Sequence, residues 1–452
     1  MLMVNNRQHI YFLGIGGIGM SALARYFNSK GVHVSGYDKT ETPLTRMMAT
    51  EGIDIHYNDL GDKAVNQVDT VVYTPAIPSD LGEYMAFINS DIPMIKRAEV
   101  LGEISKNYFT IAIAGTHGKT TITSMIAHFL HASGIKVNAF IGGISSNYNS
   151  NLILHAEAEI MVVEADEFDR SFLHLHPDIA IISSMDADHL DIYDNKEALR
   201  NTFNDFAHQI KPDGKLILFE DLELPDNSNI DVLSYGEKAS SNFHYTNAQL
   251  VQAYQEFEFI EQKQYVGKYQ LNMPGHHNLL NATAAIGACL SVNVDLAQLQ
   301  GAVASYKGVK RRFERIIDSP NLVLIDDYAH HPTEIRASIA AARQMYPAKR
   351  LMGIFQPHLY SRTRDFAEEF AEELAQLDVL VLLDIYPARE LPIEGVNSAV
   401  LLDKIKLKEK YLLSKDELAT FVVTHSPEVI LMMGAGDIDR EVYNVKQSLL
   451  NA

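Results

Sequence analysis

The chain has 452 residues, 47% of them hydrophobic and 21% charged, with a formal net charge of −20. That length suggests about three domains at roughly 150 residues each, and the composition is that of a globular protein able to bury large cores. The acidic excess weighs against nucleic-acid or acidic-membrane partners, but leaves local phosphate sites open.

The one cysteine, Cys289 in AAIGACLSV, permits no intrachain disulfide and reads as a small core residue. The early apolar run IYFLGIGGIGM reads as a strand and glycine loop, not a signal peptide. No apolar run approaches the ~20 residues of a membrane-spanning helix. A cytoplasmic location is expected.

Strand-like runs alternate with helix-like segments almost throughout, the pattern of parallel α/β domains. Three blocks are expected, 1–107, 108–314 and 315–452. In the first, Gly14, Gly16 and Gly19 form GxGxxG directly after the strand HIYFL, with Gly17 between them. Glycines permit the tight turn and bring backbone amides close to a diphosphate. The following helix turns its positive end toward that anion. Asp38, after the apolar run VHVSGY, sits where an acid can reach a ribose hydroxyl. Alone this pattern suits NAD as well as a nucleotide sugar, so an NAD-dependent sugar-nucleotide dehydrogenase is the rival reading.

The second block opens with the strand FTIAIA and the loop Gly115-Thr116-His117-Gly118-Lys119-Thr120, followed by Thr121. The loop is shorter than GxxxxGK[ST] but meets the same needs: glycines open the backbone to phosphate, Lys119 reaches the β/γ-phosphates and Thr120 can ligate Mg²⁺. Ile122, Met125, Ile126, Phe129 and Leu130 recur at helical spacing, and Gly134 can close that helix. An ATP site is expected, which a dehydrogenase would not need. Glu164 ends the strand-like EIMVVE, and His189 follows DIAIISS; both suit a divalent ion that bridges phosphates. Residues 231 to 273 read as polar β-structure, and GHHNLLNATAAIGACL reads as a helix. The third block contains RIIDSPNLVLIDDYAHHPTE, RLMGIFQPH, DVLVLLDIYPA and VILMMGAGD. Two phosphate loops and a third domain point to ATP-driven joining of two reactants.

In combination these segments resemble the Mur ligases of peptidoglycan synthesis, over the full chain. LGIGGIGMSALA and GYD resemble the sugar-nucleotide domain; GTHGKTTITSMI, EADEFDRSF and DADHLD the central ATPase domain; GHHNLLNATAA the adenine-contacting segment. RRFE, DDYAHHPTEI and FQPHLYSRT are similar to the L-alanine-adding branch. The resemblance implies a Rossmann-like N-terminal domain, a central P-loop α/β domain and a Rossmann-like C-terminal domain. It implies UDP-N-acetylmuramate, ATP and L-alanine as substrates, Mg²⁺ as the metal, and a monomer or weak homodimer.

Residue by residue, the resemblance makes Lys119 the phosphate-neutralising lysine and Thr120, Glu164 and His189 metal ligands. His277 and Asn281 fall on the adenine side, with Arg312 and Asp327 beside the ATP. Tyr328, His330, His358 and Arg362 line the incoming amino acid and the reactive carboxyl. Three positions depart from the family pattern: Leu359 and His276 stand where arginine is common, and VVYTPAIP replaces an SSAI-like stretch. No carbamylated lysine is expected, because residues 197–210 contain none. A peptide-adding recycling member of the same family is the nearer alternative; its third domain should lack the FQPHLYSRT type of loop.

Overall fold

Three β-sheets organise the described part of the chain in the computed structural model, which covers residues 9–186, 196–224, 230–252, 254–388 and 390–451. The first sheet has five parallel strands in the spatial order Asp54–His56, His33–Tyr37, His9–Leu13, Thr70–Tyr73, Met94–Lys96. Its central strand alternates as the two-residue period requires. Ile10 and Phe12 join the core that includes helix Ile18–Ser29, while Tyr11 and Leu13 join the core on the opposite face. The chain direction of winding reverses at His9–Leu13, which opens a crevice beyond the carboxyl ends of His9–Leu13 and Thr70–Tyr73.

The second sheet has ten strands, and Phe109–Ala114 lies inside it between Ile160–Glu164 and Ile179–Ile182, parallel to both. Helix Lys119–Ala132 follows directly, and Ile122, Met125, Ile126, Phe129 and Leu130 are all fully buried, as their spacing predicts. Gly134, at φ +83°, ends it in the left-handed conformation that favours glycine. The expected β-structure between 231 and 273 is present as Asp231–Gly236, Phe243–Val251, Tyr254–Glu261 and Gln264–Leu271. Helix His276–Leu290 follows, with Cys289 fully buried.

The third sheet has six strands, in the order Glu314–Asp318, Val323–Asp327, Val429–Met433, Leu351–Phe355, Val379–Leu382, Lys410–Leu412. Only the first pair is antiparallel. Ile325 and Phe355 face one core layer, Leu324 and Ile354 the other.

By internal contacts the chain forms two compact units. One runs through Ala248, Phe257–Gln270 and Leu280–Lys307; the other takes Gln249–Glu256, Leu271–Leu279 and the chain from Gly308 on. Among the described residues no helix is long and apolar enough to cross a membrane.

Candidate functional site

The phosphate loop is shaped by its two glycines. Gly115 has φ +133° and would place a Cβ 2.2 Å from Ser183 Oγ; Gly118 has φ +84° and caps helix Lys119–Ala132. The neighbouring strand end ties the loop down. Ser184 Oγ accepts from the His117 amide at 2.7 Å, and Thr116 Oγ1 accepts from the Asp186 amide at 3.0 Å. His117 Nε2 lies 3.3 Å from Asp186 Oδ2. Asn281 Oδ1 would lie 2.8 Å from a Cβ on Gly118, so this side chain packs against the loop. Thr121 is buried in the first turn of the helix.

Lys119 is nearly enclosed. Its ammonium donates to Gly115 O at 2.7 Å and lies 2.9 and 2.8 Å from the two oxygens of Glu167. Burial works to lower its pKa, but Glu167, Asp166 and Glu164 outweigh burial and hold it above the ordinary lysine value. The lysine is therefore a fixed cation.

Pairing of Ile113 with Glu164 across adjacent parallel strands sets that carboxylate beside the loop. Thr120 Oγ1 donates to Glu164 Oε1 at 3.0 Å, and the Gly142 amide donates to Oε2 at 3.1 Å. Gly142 must be small: a Cβ there would lie 2.0 Å from Oε2. A hydroxyl and a carboxylate are hard oxygen donors of the kind Mg²⁺ takes, and Mg²⁺ commonly completes its shell with water and substrate phosphate rather than a protein cage. Among the described residues no group of three His, Cys, Asp or Glu side chains could hold a metal unaided. Thr120 and Glu164 thus fit a phosphate-bridging ion. His189, expected as a third ligand, lies outside the described residues.

The first glycine loop opens into a cavity of about 280 Å³. Gly17, Gly19, Thr74 and Arg97 line it, and so do Glu164, which ends a strand of the second sheet, and Asp166 just beyond it. The nucleotide loop and the candidate metal residues therefore share one space. Gly14, at φ +81°, makes the turn out of the strand, and Gly17 caps helix Ile18–Ser29. Gly19 lets Arg97 lie over the loop, since a Cβ there would be 2.9 Å from Nη1. Arg97 Nη2 stands 3.8 Å from Asp166 Oδ2. Sequence reasoning missed Arg97; it starts the helix after the fifth strand of a parallel sheet, and only the strand order brings it to the first loop. Asp38, expected at a ribose hydroxyl, also contacts the loop itself. Its Oδ2 accepts from the Gly16 amide at 2.8 Å and its Oδ1 from the Thr40 amide at 3.1 Å, so it braces the loop.

The second unit gathers the residues expected around the amino acid. Rings of Tyr328 and His330 are 5.3 Å apart, those of His330 and His358 5.9 Å, and Tyr386 stacks on His358 at 5.7 Å. Arg312 lies 5.0 Å from the Tyr328 ring centre, with Nη1 3.7 Å from Glu334. Glu334 also reaches His330 Nδ1 at 3.2 Å. Asp327 is buried, accepting from Ser338 Oγ at 2.7 Å and the Ala329 amide at 3.1 Å. Burial raises its pKa to about 6, against lowering by Ser338 and Arg312. Arg362 is only 8% exposed, on the short helix Tyr360–Asp365. Leu359, before it, takes φ +71°. Exposed His276 opens the helix that carries Asn281, and half-buried His277 follows it.

A phosphate loop and a second glycine loop open to one cavity, in a chain that also carries a separate α/β unit, define a multidomain nucleotide-dependent enzyme. Family models agree along the chain: Mur ligase family, catalytic domain, at residues 9–109; Mur ligase middle domain at 113–289; and Mur ligase, glutamate ligase domain, at 311–436. The chain belongs to the Mur ligase family and has its three-domain α/β fold. It is 48% identical to the UDP-N-acetylmuramate–L-alanine ligase of Christiangramia forsetii, with 99% of each chain covered. The solved UDP-N-acetylmuramate-alanine ligase of Thermotoga maritima superposes with a TM-score of 0.85 at 29% identity, over 98% of this chain and 99% of that one. A murein peptide ligase from Psychrobacter arcticus shares the fold, with a TM-score of 0.73 at 23% identity over 98% and 99% of the two chains.

Proposed function

We propose that this chain joins L-alanine to the carboxylate of UDP-N-acetylmuramate, converting ATP to ADP and phosphate and giving UDP-N-acetylmuramoyl-L-alanine. The observation that carries this reading is the shared cavity, in which Gly17, Gly19 and Arg97 face the same space as Glu164. A sugar nucleotide held by the first loop is thereby presented to the residues that would hold the γ-phosphate. The names of the full-length relatives support the same reading. Residues 1–107 would take the sugar nucleotide, 108–314 the ATP and 315–452 the amino acid.

A carboxylate is a poor electrophile because oxide is a poor leaving group. A muramoyl carboxylate oxygen bonds to the γ-phosphorus of ATP, and the bond to ADP breaks. The alanine nitrogen then bonds to the acyl carbon of this acyl phosphate, and phosphate leaves with the electron pair of the broken C–O bond. Two protons leave the former ammonium in forming the amide, one taken up by the departing phosphate and the other released to solvent. Lys119 and the loop amides would neutralise the β/γ-phosphates, and Arg97 would hold the sugar nucleotide's anionic part. Bound Mg²⁺, on Thr120, Glu164 and the proposed ligand His189, would supply Lewis-acid neutralisation of phosphate oxygens. Arg362 would clamp the alanine carboxylate bidentately, and His330 and His358 would orient its amine. Gly115–Thr121, His277, Asn281, Arg312 and Asp327 would surround ATP. The protein's task is mainly alignment and charge neutralisation.

The test is phosphate release with Mg²⁺, ATP and UDP-N-acetylmuramate, each amino acid being added singly. L-Alanine should give the highest turnover, with glycine and L-serine slower, and omission of any substrate should abolish release. Equal turnover with ATP alone would overturn the ligase reading, and preference for a peptide would move the chain to the recycling branch.

A further inference from the structure

Glu167 is fully buried, and no step above uses it. It lies three residues beyond Glu164, and its two oxygens face Lys119 Nζ at 2.9 and 2.8 Å. The same ammonium donates to Gly115 O at 2.7 Å. An ammonium has three donors. In this arrangement one goes to Gly115 O and one to Glu167 Oε1, and Oε2 stands 2.8 Å from the same nitrogen. A nucleotide phosphate that needs Lys119 must share these contacts or displace Glu167 from one of them. Because Glu167 is out of water, its attraction for the lysine is weakly screened and the competition is strong.

We propose that Glu167 is a positioning residue of the phosphate loop, holding Lys119 in place and competing with nucleotide phosphates for it, so that bound ADP is let go. This rests on reading the loop as the ATP site. The first half of the role keeps the lysine ordered, so that nucleotide binding does not have to fix a long flexible side chain. The second half sets a limit on nucleotide affinity. A purely structural role makes the opposite prediction: without Glu167 the lysine would be misplaced and nucleotide would bind more weakly.

The experiment is calorimetric titration of the full-length protein with Mg·ADP, using Glu167→Gln, which keeps the shape and an acceptor oxygen but removes the charge. Affinity for Mg·ADP should rise about tenfold, the size of effect that loss of one competing charge contact can give. The KM for ATP and kcat should fall together as product release slows, while UDP-N-acetylmuramate affinity stays the same. In a Lys119→Met background, Glu167→Gln should leave Mg·ADP affinity unchanged, because the competition needs the lysine. Unchanged or weaker Mg·ADP binding by Glu167→Gln, or the same gain without Lys119, would overturn the proposal. Should Glu167→Gln fail to fold, Glu167→Asp retracts the carboxylate by one methylene and should still bind Mg·ADP more tightly; weaker binding would overturn the role. Wild-type protein that binds neither ADP nor ATP would instead overturn the ATP-site reading itself.

Discussion

Thr120 donates its hydroxyl proton to one oxygen of Glu164 at 3.0 Å, while the other oxygen is fixed by the Gly142 amide at 3.1 Å. The carboxylate is thus aimed from two sides. Gly142→Ala would place a methyl 2.0 Å from Glu164 Oε2 and force it aside. The Mg²⁺ concentration needed for half-maximal phosphate release should rise about 10- to 100-fold, the usual cost of disturbing a residue that orients a ligand. Glu164→Gln should move the same quantity in the same direction. Unchanged Mg²⁺ dependence in both variants would remove Glu164 from the metal site.

Lys119→Ala should lower kcat/KM for ATP by several orders of magnitude, because several kcal/mol of charge neutralisation at the phosphates is lost. Affinity for UDP-N-acetylmuramate should persist. Calorimetry showing the reverse pattern would exchange the roles of the two loops.

Arg97→Ala should raise the KM for UDP-N-acetylmuramate roughly ten- to hundredfold, from loss of a charge-assisted hydrogen bond of about 1.5–3 kcal/mol. Arg97→Lys should recover part of this. ATP binding should change little, and a selective loss of ATP affinity would place Arg97 on the other substrate.

The two glycine loops, the helix after Lys119 and the strand ending in Glu164 were legible because each is local: glycine spacing, a 3.6-residue period and an apolar run carry them. Arg97 and Glu167 were not. Arg97 reaches Gly19 across 78 positions of chain through the order of parallel strands, and nothing near either residue announces the meeting. Glu167 lies in EADEFDRSF, which the resemblance assigned only as a whole to the ATPase domain, and its pairing with Lys119 depends on how the chain turns after the strand. Asp38 shows the opposite limit. Its spacing suits a ribose contact, yet the same spacing lets it cap the Gly16 amide. In the second unit, His330 and His358 come from the ends of different strands, so their approach was indicated only by the family resemblance.

Arg362→Lys keeps the charge but loses the planar fork. The KM for L-alanine should rise about tenfold or more, with ATP and UDP-N-acetylmuramate bound nearly normally. Leu359 cannot share the cationic task, so the defect should not be masked by a neighbour. An unchanged KM for L-alanine with weakened ATP binding would assign Arg362 to the phosphates.

Asp326 gives a pH signature. It is 4% exposed, and burial raises its pKa to about 7 despite Arg311 Nε at 3.5 Å; Asp327 adds to the rise. Below pH ~4 the group is protonated whether the chain is folded or not. As pH rises toward 7, the unfolded carboxyl ionises while the folded one stays protonated, so its contribution to stability is lost across that window. Asp326→Asn should flatten this slope, gaining on the wild type by a few kcal/mol between pH 4 and 7 in denaturant titrations. Parallel pH profiles for the two proteins would show that Asp326 titrates normally.

The chain passes between its two compact units not once but at 248/249, 256/257, 270/271, 279/280 and 307/308. A gene cut at Gly308 would therefore separate segments that pack within one unit. The fragment would lack Gln249–Glu256 and Leu271–Leu279, two pieces of its own unit that are encoded earlier. On the ribosome those pieces emerge first and must wait for the last third of the polypeptide. For engineering, transplanting the second unit into a relative calls for three coordinated segments.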